Sequence, residues 1–268
     1  MTWFTNYTDS IAALEAGKLD ANSQTLSDAM PALAKGTALK IVLVNDNSAG
    51  NDALMVNSKI NSIADLKGKR IALEQFTVSH FLLATALSKN GLKLSDVALV
   101  NLPAADAAAA LIAGRADAAA LWNPWVNQVL TSGKGQVVFT SKDMPGLIPD
   151  VLVAQEKSVK DKRKEFVGMI RAWYDTEKFI REHRDEAIQI MAKAVKSTPE
   201  DYKIVLLGTR FFNERDNLNA FGPASKARSL AGAAPAIAQF LKDNKLLEGN
   251  LEISRGLDGS LVAEVAQN

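Results

Sequence analysis

Leu14-Glu15-Ala16-Gly17-Lys18-Leu19-Asp20-Ala21 returns later in the chain as Leu111-Ile112-Ala113-Gly114-Arg115-Ala116-Asp117-Ala118. The shared pattern is Leu-x-Ala-Gly-basic-x-Asp-Ala. Each copy reads as a helix end, a glycine that closes it, a basic residue near the helix's negative pole, and a strand opening at Asp-Ala. The pattern predicts two similar α/β units in one chain; chance likeness between two helix-to-strand turns is the competing reading. Two similar lobes facing each other would make a cleft, where small ligands bind.

Outward from these copies, short β-like runs alternate with helical segments. Ile41–Val44, Ala53–Val56, Arg70–Leu73, Val97–Val100, Ala118–Leu121, Gln136–Phe139 and Asp150–Val153 are expected as buried strands. Ile11–Ala16, Ser27–Lys35, Ser79–Asn90 and Ala104–Ala113 are expected as helices, each followed by a glycine. This alternation argues for an α/β fold with mostly parallel sheets. Beyond Ser158 the pattern turns helical. Lys164–His183 carries an apolar face, Thr198-Pro199 reads as a cap plus first-position proline, and Ala224–Lys245 is a further helical stretch.

The composition narrows the function classes. With 268 residues, 47% hydrophobic and 23% charged, the chain is an ordinary globular sequence with room for two lobes. A net charge of +1 and no basic block beyond Lys160–Lys164 give no footprint for nucleic acid. No apolar run is long enough to span a membrane. The absence of cysteine removes disulfides, a thiolate nucleophile and Cys-ligated metals. Two histidines, His80 and His183, do not make a His-rich metal site, and neither a Gly-x-Ser-x-Gly elbow nor a phosphate-binding glycine loop is present. Met1–Asn6 does not read as a signal peptide. The expectation is a protein without catalytic residues, metal or cofactor.

Five segments carry a family likeness in order: Ala12–Ala21, Asn47–Leu54, Ala64–Ala72, Thr77–Leu83 and Leu121–Trp125. With them the chain resembles the periplasmic solute-binding proteins of the nitrate, sulfonate and taurine ABC importers, over roughly Thr2–Ala154. The resemblance implies a type II two-lobed binding fold. Lobe one would be Met1 to Ser58 plus Pro149 to Asn268, and lobe two Lys59 to Ile148, with Ala53–Val56 and Asp150–Ala154 near the hinge. It also implies capture of a small polar solute by cleft closure and delivery to membrane permease subunits, by a monomer in the periplasm or at the outer surface. In that family a strand–helix–strand unit precedes the segment like Trp3–Thr8. The expected beginning therefore lies upstream, through a misassigned start, a fragment or a degenerate gene. The related thiamine-pyrimidine synthases carry a cysteine-rich signature that is absent here.

The candidate ligand residues lie at strand-to-helix junctions. Thr77 and Ser79 open a helix whose free N–H groups suit an anion, with plain capping as the ordinary alternative. Trp122 ends a strand and would wall a ligand, with Trp125 in the core; Asn123 would line the site or cap the next helix. Thr25 and Ser27 mark the equivalent junction in the other lobe, beside Asp28, and Asn6 and Tyr7 open the first helix. Ser48 lies in the polar run Asp46–Asp52, which is otherwise a simple loop. Glu74 ends a strand directly before Thr77; an ordinary glutamate there would be solvated, whereas a carboxylate beside the pocket would favour a ligand with a cationic group. Acids with tryptophan would also suit a small cation or zwitterion such as guanidinium. A ligand-sensing regulatory domain of the same fold is the remaining alternative; it would need a DNA-binding helix-turn-helix, and none is seen here.

Overall fold

Glycine-closed helices and short apolar strands resolve, in a computed structural model that describes residues 2–226 and 228–267, into one alternating series. In chain order it runs α1 (Tyr7–Glu15), β1 (Ala21–Thr25), α2 (Leu26–Ala34), β2 (Leu39–Ser48), β3 (Asp52–Asn57), β4 (Arg70–Leu73), α3 (Val78–Lys89) and β5 (Ala98–Asn101). It continues with α4 (Ala104–Ile112), β6 (Ala118–Trp122), α5 (Trp125–Thr131), β7 (Gly135–Thr140) and β8 (Pro149–Gln155). Then follow α6 (Glu156–Asp161), α7 (Arg163–Glu182), α8 (Arg184–Ala194), α9 (Pro199–Leu207) and the short β9 (Thr209–Phe211). The chain closes with α10 (Glu214–Ala220), α11 (Leu230–Asp243), α12 (Ile253–Gly256) and α13 (Ser260–Ala266).

The repeated octapeptide folds as the same turn twice. Gly17 takes φ 71° and Gly114 φ 70°, the left-handed region that a side chain disfavours. The next residue's N–H then reaches back, Lys18 to the Ala13 carbonyl and Arg115 to the Ala110 carbonyl. β1 and β6 start from these turns. Their aspartates are pinned, Asp20 by Ser158 and Lys162, and Asp117 by the Arg70 N–H and guanidinium.

The chain divides into two compact units. One comprises Met1–Asn47, Gly146–Leu206 and Arg210–Asn268, the other Ser48–Pro145 and Leu207–Thr209. The resemblance placed the first lobe's boundary at Ser58; the compact unit ends earlier because β3 pairs along its length with β6 and β7.

The first unit is built on a sheet ordered β1-β8-β2-β9. Val42, Leu43 and Ala154 pack on Phe166, Val167 and Ile170 of α7 and on Leu261, Val262 and Val265 of α13. Asn217 of α10 is fully buried; it accepts from the Val44 N–H at 2.8 Å and donates to the Val44 carbonyl at 3.0 Å. The second unit's sheet is ordered β5-β4-β6-β3-β7. On one face Ala53, Met55, Ala72, Ala119 and Leu121 pack on α4 and α5. Side chains alternate along a strand, so Leu54, Leu73 and Ala120 point the other way, toward α3.

Mostly parallel sheets, as expected from the sequence, are corrected to mixed sheets. Strands joined through a helix do share a direction: β4 is parallel to β5 and β6, and β1 and β2 are both antiparallel to β8. The reversed strands are β3 and β8, each antiparallel to both neighbours described for it. Each follows a strand of the other sheet without an intervening α-helix, so no crossover fixes its direction. Three smaller expectations also change. β5 and β7 are edge strands and largely unburied. β2 runs on to Ser48, so only residues 49–51 of the polar run form a loop. The stretch Ala224–Lys245 is helical only over Leu230–Asp243.

Candidate functional site

In the second unit, three features converge on one edge of the sheet. The parallel strands β4 and β6 end there, at Leu73 and Trp122. The reversed strand β3 begins there, with Asp52 in register with Trp122. Helix α3 also starts there, directly after β4. Asp52 and Trp122 share the side of the sheet to which Leu54 and Ala120 point, the side α3 covers.

The sequence between β4 and α3 builds a polar cradle. Thr77 has extended backbone and caps the helix, its Oγ1 accepting from the Ser79 N–H at 3.3 Å and donating to the Glu74 carbonyl at 2.7 Å. Ser79 is 1% exposed, and its Oγ has no hydrogen-bond partner among the described residues. Next to it, His80 Nδ1 accepts from the Phe76 N–H at 3.3 Å. An accepting ring nitrogen carries no proton, so the proton sits on Nε2, which is buried without a partner among the described residues. Burial pushes the His80 pKa down to about 4, so the ring is neutral. Phe76 holds a left-handed φ of 63°, unusual for a bulky residue, with its ring 71% exposed and edge-on to His80. Glu74, a candidate ligand residue, is 5% exposed, so the ordinary reading of a solvated glutamate does not hold for it.

Asp52 is 6% exposed. Burial raises its pKa from 3.8 to about 6, opposed by a hydrogen bond with Ser48. The Ser48 and Ser141 hydroxyls lie 2.8 Å apart, and Ser141 Oγ accepts from the Gly50 N–H at 2.6 Å. Asn123 donates from Nδ2 to Asn51 Oδ1 at 2.9 Å and accepts at Oδ1 from the Asn127 N–H at 3.1 Å, so its amide orders the strand-to-helix junction. Trp125 packs on the unit's apolar cluster, whereas Trp122 stands at the strand end.

The first unit gathers a separate set. Tyr7 Oη accepts from the Thr25 N–H at 2.9 Å, and Thr25 Oγ1 lies 2.9 Å from Ser27 Oγ. Ser27 donates to Asp28 Oδ1 at 3.3 Å, and Thr25 Oγ1 accepts from the Asp28 N–H, capping α2. Burial first, then the charges of Asp28 and Asp150, push the Tyr7 hydroxyl well above its usual range, so it stays protonated. Asn6 is not part of this set; its amide turns to Asp9 at 3.1 Å. Among the described residues, no group of three or more acidic or histidine side chains is placed to hold a metal.

Ser141 and Phe76 went unread in the sequence, His80 was read only against a metal site, and Asp52 was read as an acid of the polar run Asp46–Asp52 without a ligand role. Only Asp52 carried a signal, its alternation with Leu54 and Val56.

The NMT1/THI5-like family profile matches residues 4–187. The chain belongs to this family. A relative in Escherichia coli (strain K12), named as a candidate aliphatic sulfonates-binding protein, is 30% identical over 188 residues, which is 69% of this chain and 58% of the relative. The taurine-binding periplasmic protein of the same strain is 28% identical over 250 residues, covering 87% of this chain and 73% of its own. The crystal structure of the periplasmic aliphatic sulphonate binding protein SsuA from Escherichia coli superposes with a TM-score of 0.77 at 23% identity, covering 97% of this chain and 87% of that one. The two-lobed binding-protein fold is therefore shared. The same fold also carries an enzyme: the desulfurization enzyme DszB superposes with a TM-score of 0.66 at 15% identity, covering 93% of this chain and 86% of its own.

Proposed function

We propose that this NMT1/THI5-like protein is the solute-capturing component of an ABC importer and takes a small polar solute of the sulfonate and taurine class. The observation that carries the reading is the start of α3, where the buried Ser79 hydroxyl, with no hydrogen-bond partner among the described residues, stands at the helix's positive pole. Donors fixed in this way suit an oxyanion without a basic side chain. The curated relatives support it, since their names assign them sulfonates and taurine.

Capture here makes no bond. The residues at the edge bind and orient, and the relatives that support the reading are named as binding proteins, so the protein works as a carrier. Its partners are then permease subunits in a membrane, and its place the periplasm or the outer surface. Calorimetric titration with taurine, ethanesulfonate and nitrate tests this. Saturable binding of at least one sulfonate is expected, and no binding of any of the three refutes it.

A further inference from the structure

The second unit's sheet ends at β5, and no other strand among the described residues covers the outer side of that strand. The run Val97-Ala98-Leu99-Val100-Asn101-Leu102 holds no charge, whereas edge strands are ordinarily guarded by charged residues or proline. The Ala98 N–H donates to the Lys69 carbonyl at 2.8 Å, and the Leu102 N–H to the Leu73 carbonyl at 3.0 Å. Along a strand the backbone groups of alternate residues turn to opposite sides, so Ala98, Val100 and Leu102 face β4. Leu99 and Asn101 turn theirs to the open edge. The ladder they offer is bounded at both ends: the Val97 N–H is taken by the Leu94 carbonyl at 3.3 Å, and Pro103 has no N–H to give.

Beside this edge, on the α4 side of the sheet, runs a groove of about 360 Å³ lined by Val100, Leu102, Asp106, Ala110, Arg115 and Ala116. Asp106 stands in the first turn of α4, just past the C-terminal end of β5. Arg115 follows α4, where the chain has returned to the other end of the strand. The Asp117 N–H there donates to the carbonyl of Arg70, which is in register with Ala98. The groove therefore carries an acid at one end and a base at the other. Both residues are exposed, and neither has an ion-pair partner among the described residues.

We propose that β5 pairs antiparallel with β5 of a second copy of this chain, making a symmetric dimer through the second unit. With Val100 opposite its own counterpart, Leu99 of each copy faces Asn101 of the other. These are the residues whose backbone groups point outward, so each outward N–H finds a carbonyl across the axis. On the α4 side Ala98 meets Leu102 of the second copy, and the two valines meet at the centre, which closes apolar side chains over both grooves. A two-fold axis perpendicular to the sheet keeps α4 on the same side and exchanges the strand ends. Asp106 of each copy is thereby carried to the end where the other holds Arg115. A strand from an unrelated protein would have to match both charges by its own sequence; a second copy matches them by symmetry. The dimer departs from the monomer that the family resemblance implies, and it does not depend on the solute.

Sedimentation velocity over about 1–200 µM protein reads the equilibrium. The parent is expected to dimerise within that range. Ala98→Lys puts a charge at an exposed position opposite Leu102 of the second copy and should weaken the dimer by about tenfold or more. Asp106→Arg and Arg115→Asp should each weaken it to a similar extent, and the double variant, whose charges again complement across the axis, should recover the parent's affinity. Circular dichroism controls for folding, and the recovery separates a lost contact from a damaged fold. A parent that stays monomeric throughout overturns the proposal. So does a dimer that none of the single substitutions weakens, because the contact then lies elsewhere. Folded single variants that weaken the dimer without recovery in the double variant overturn the symmetric register. None of these outcomes bears on solute capture.

Discussion

Asp52→Asn should make the protein more stable at neutral pH and uncover a pH dependence that the parent hides. The Asp52 carboxyl moves from 3.8 to about 6 on folding. At 1.36 kcal/mol per pKa unit this is about 3 kcal/mol against the charged form. An acid with a raised pKa contributes stability below its unfolded value and loses it as pH rises through the folded value. His80 works in the opposite sense. Its pKa falls from 6.5 to about 4, so its contribution is present above 6.5 and is lost as pH drops toward 4, again about 3 kcal/mol. In the parent the two slopes nearly cancel between pH 4 and 6.5. Asparagine keeps the hydrogen-bonding capacity toward Ser48 and removes the acid's slope. Urea denaturation at half-unit steps from pH 4 to 7.5 is the assay. The variant's unfolding free energy should climb by about 3 kcal/mol over that span while the parent's stays nearly level, and it should exceed the parent's at pH 7. Parallel profiles for the two proteins would refute the reasoning.

His80→Gln should give the mirror image, with stability that falls as pH rises from 4 to 6.5; the same denaturation series reads it, and a level profile counts against a buried neutral imidazole. Phe76→Gly should raise the thermal midpoint, because a bulky residue at φ 63° stores about 1–3 kcal/mol of strain while glycine costs about 0.5–1 kcal/mol in chain entropy; calorimetric melting decides the sign. Asn217→Ala should cost about 3 kcal/mol or more by leaving the buried Val44 N–H and carbonyl without their side-chain partner, measured by urea unfolding. Trp122→Ala should weaken taurine binding by about tenfold or more in a folded protein, a loss of the size expected for one aromatic wall; unchanged affinity by calorimetry would remove Trp122 from the site.

The parts of this fold legible in the sequence are those fixed by local chemistry. Gly17 and Gly114 must take a left-handed φ for a helix to turn into a strand, so the octapeptide repeat announces its own geometry. Thr198 with Pro199 announces a helix start in the same way, and Thr198 Oγ1 accepts from the Asp201 N–H at 3.1 Å. Phe76 shows the limit of such reading. A left-handed position calls for glycine, and nothing local marks a phenylalanine as able to hold it.

Asp52 was hidden by direction and not by chemistry. Its alternation with Leu54 and Val56 shows a strand with an acid at its head, and that much is local. Whether that head meets the start of α3 depends on which way β3 runs relative to β4 and β6. A parallel β3, as a mostly parallel sheet requires, would carry Asp52 to the opposite edge, away from Thr77 and Ser79. Because β3 is reversed, the first residue of one strand and the last residue of its neighbour, Asp52 and Trp122, fall in register. One inversion of a single strand thus brings an acid at the head of β3 to the edge of the sheet where β4 and β6 end.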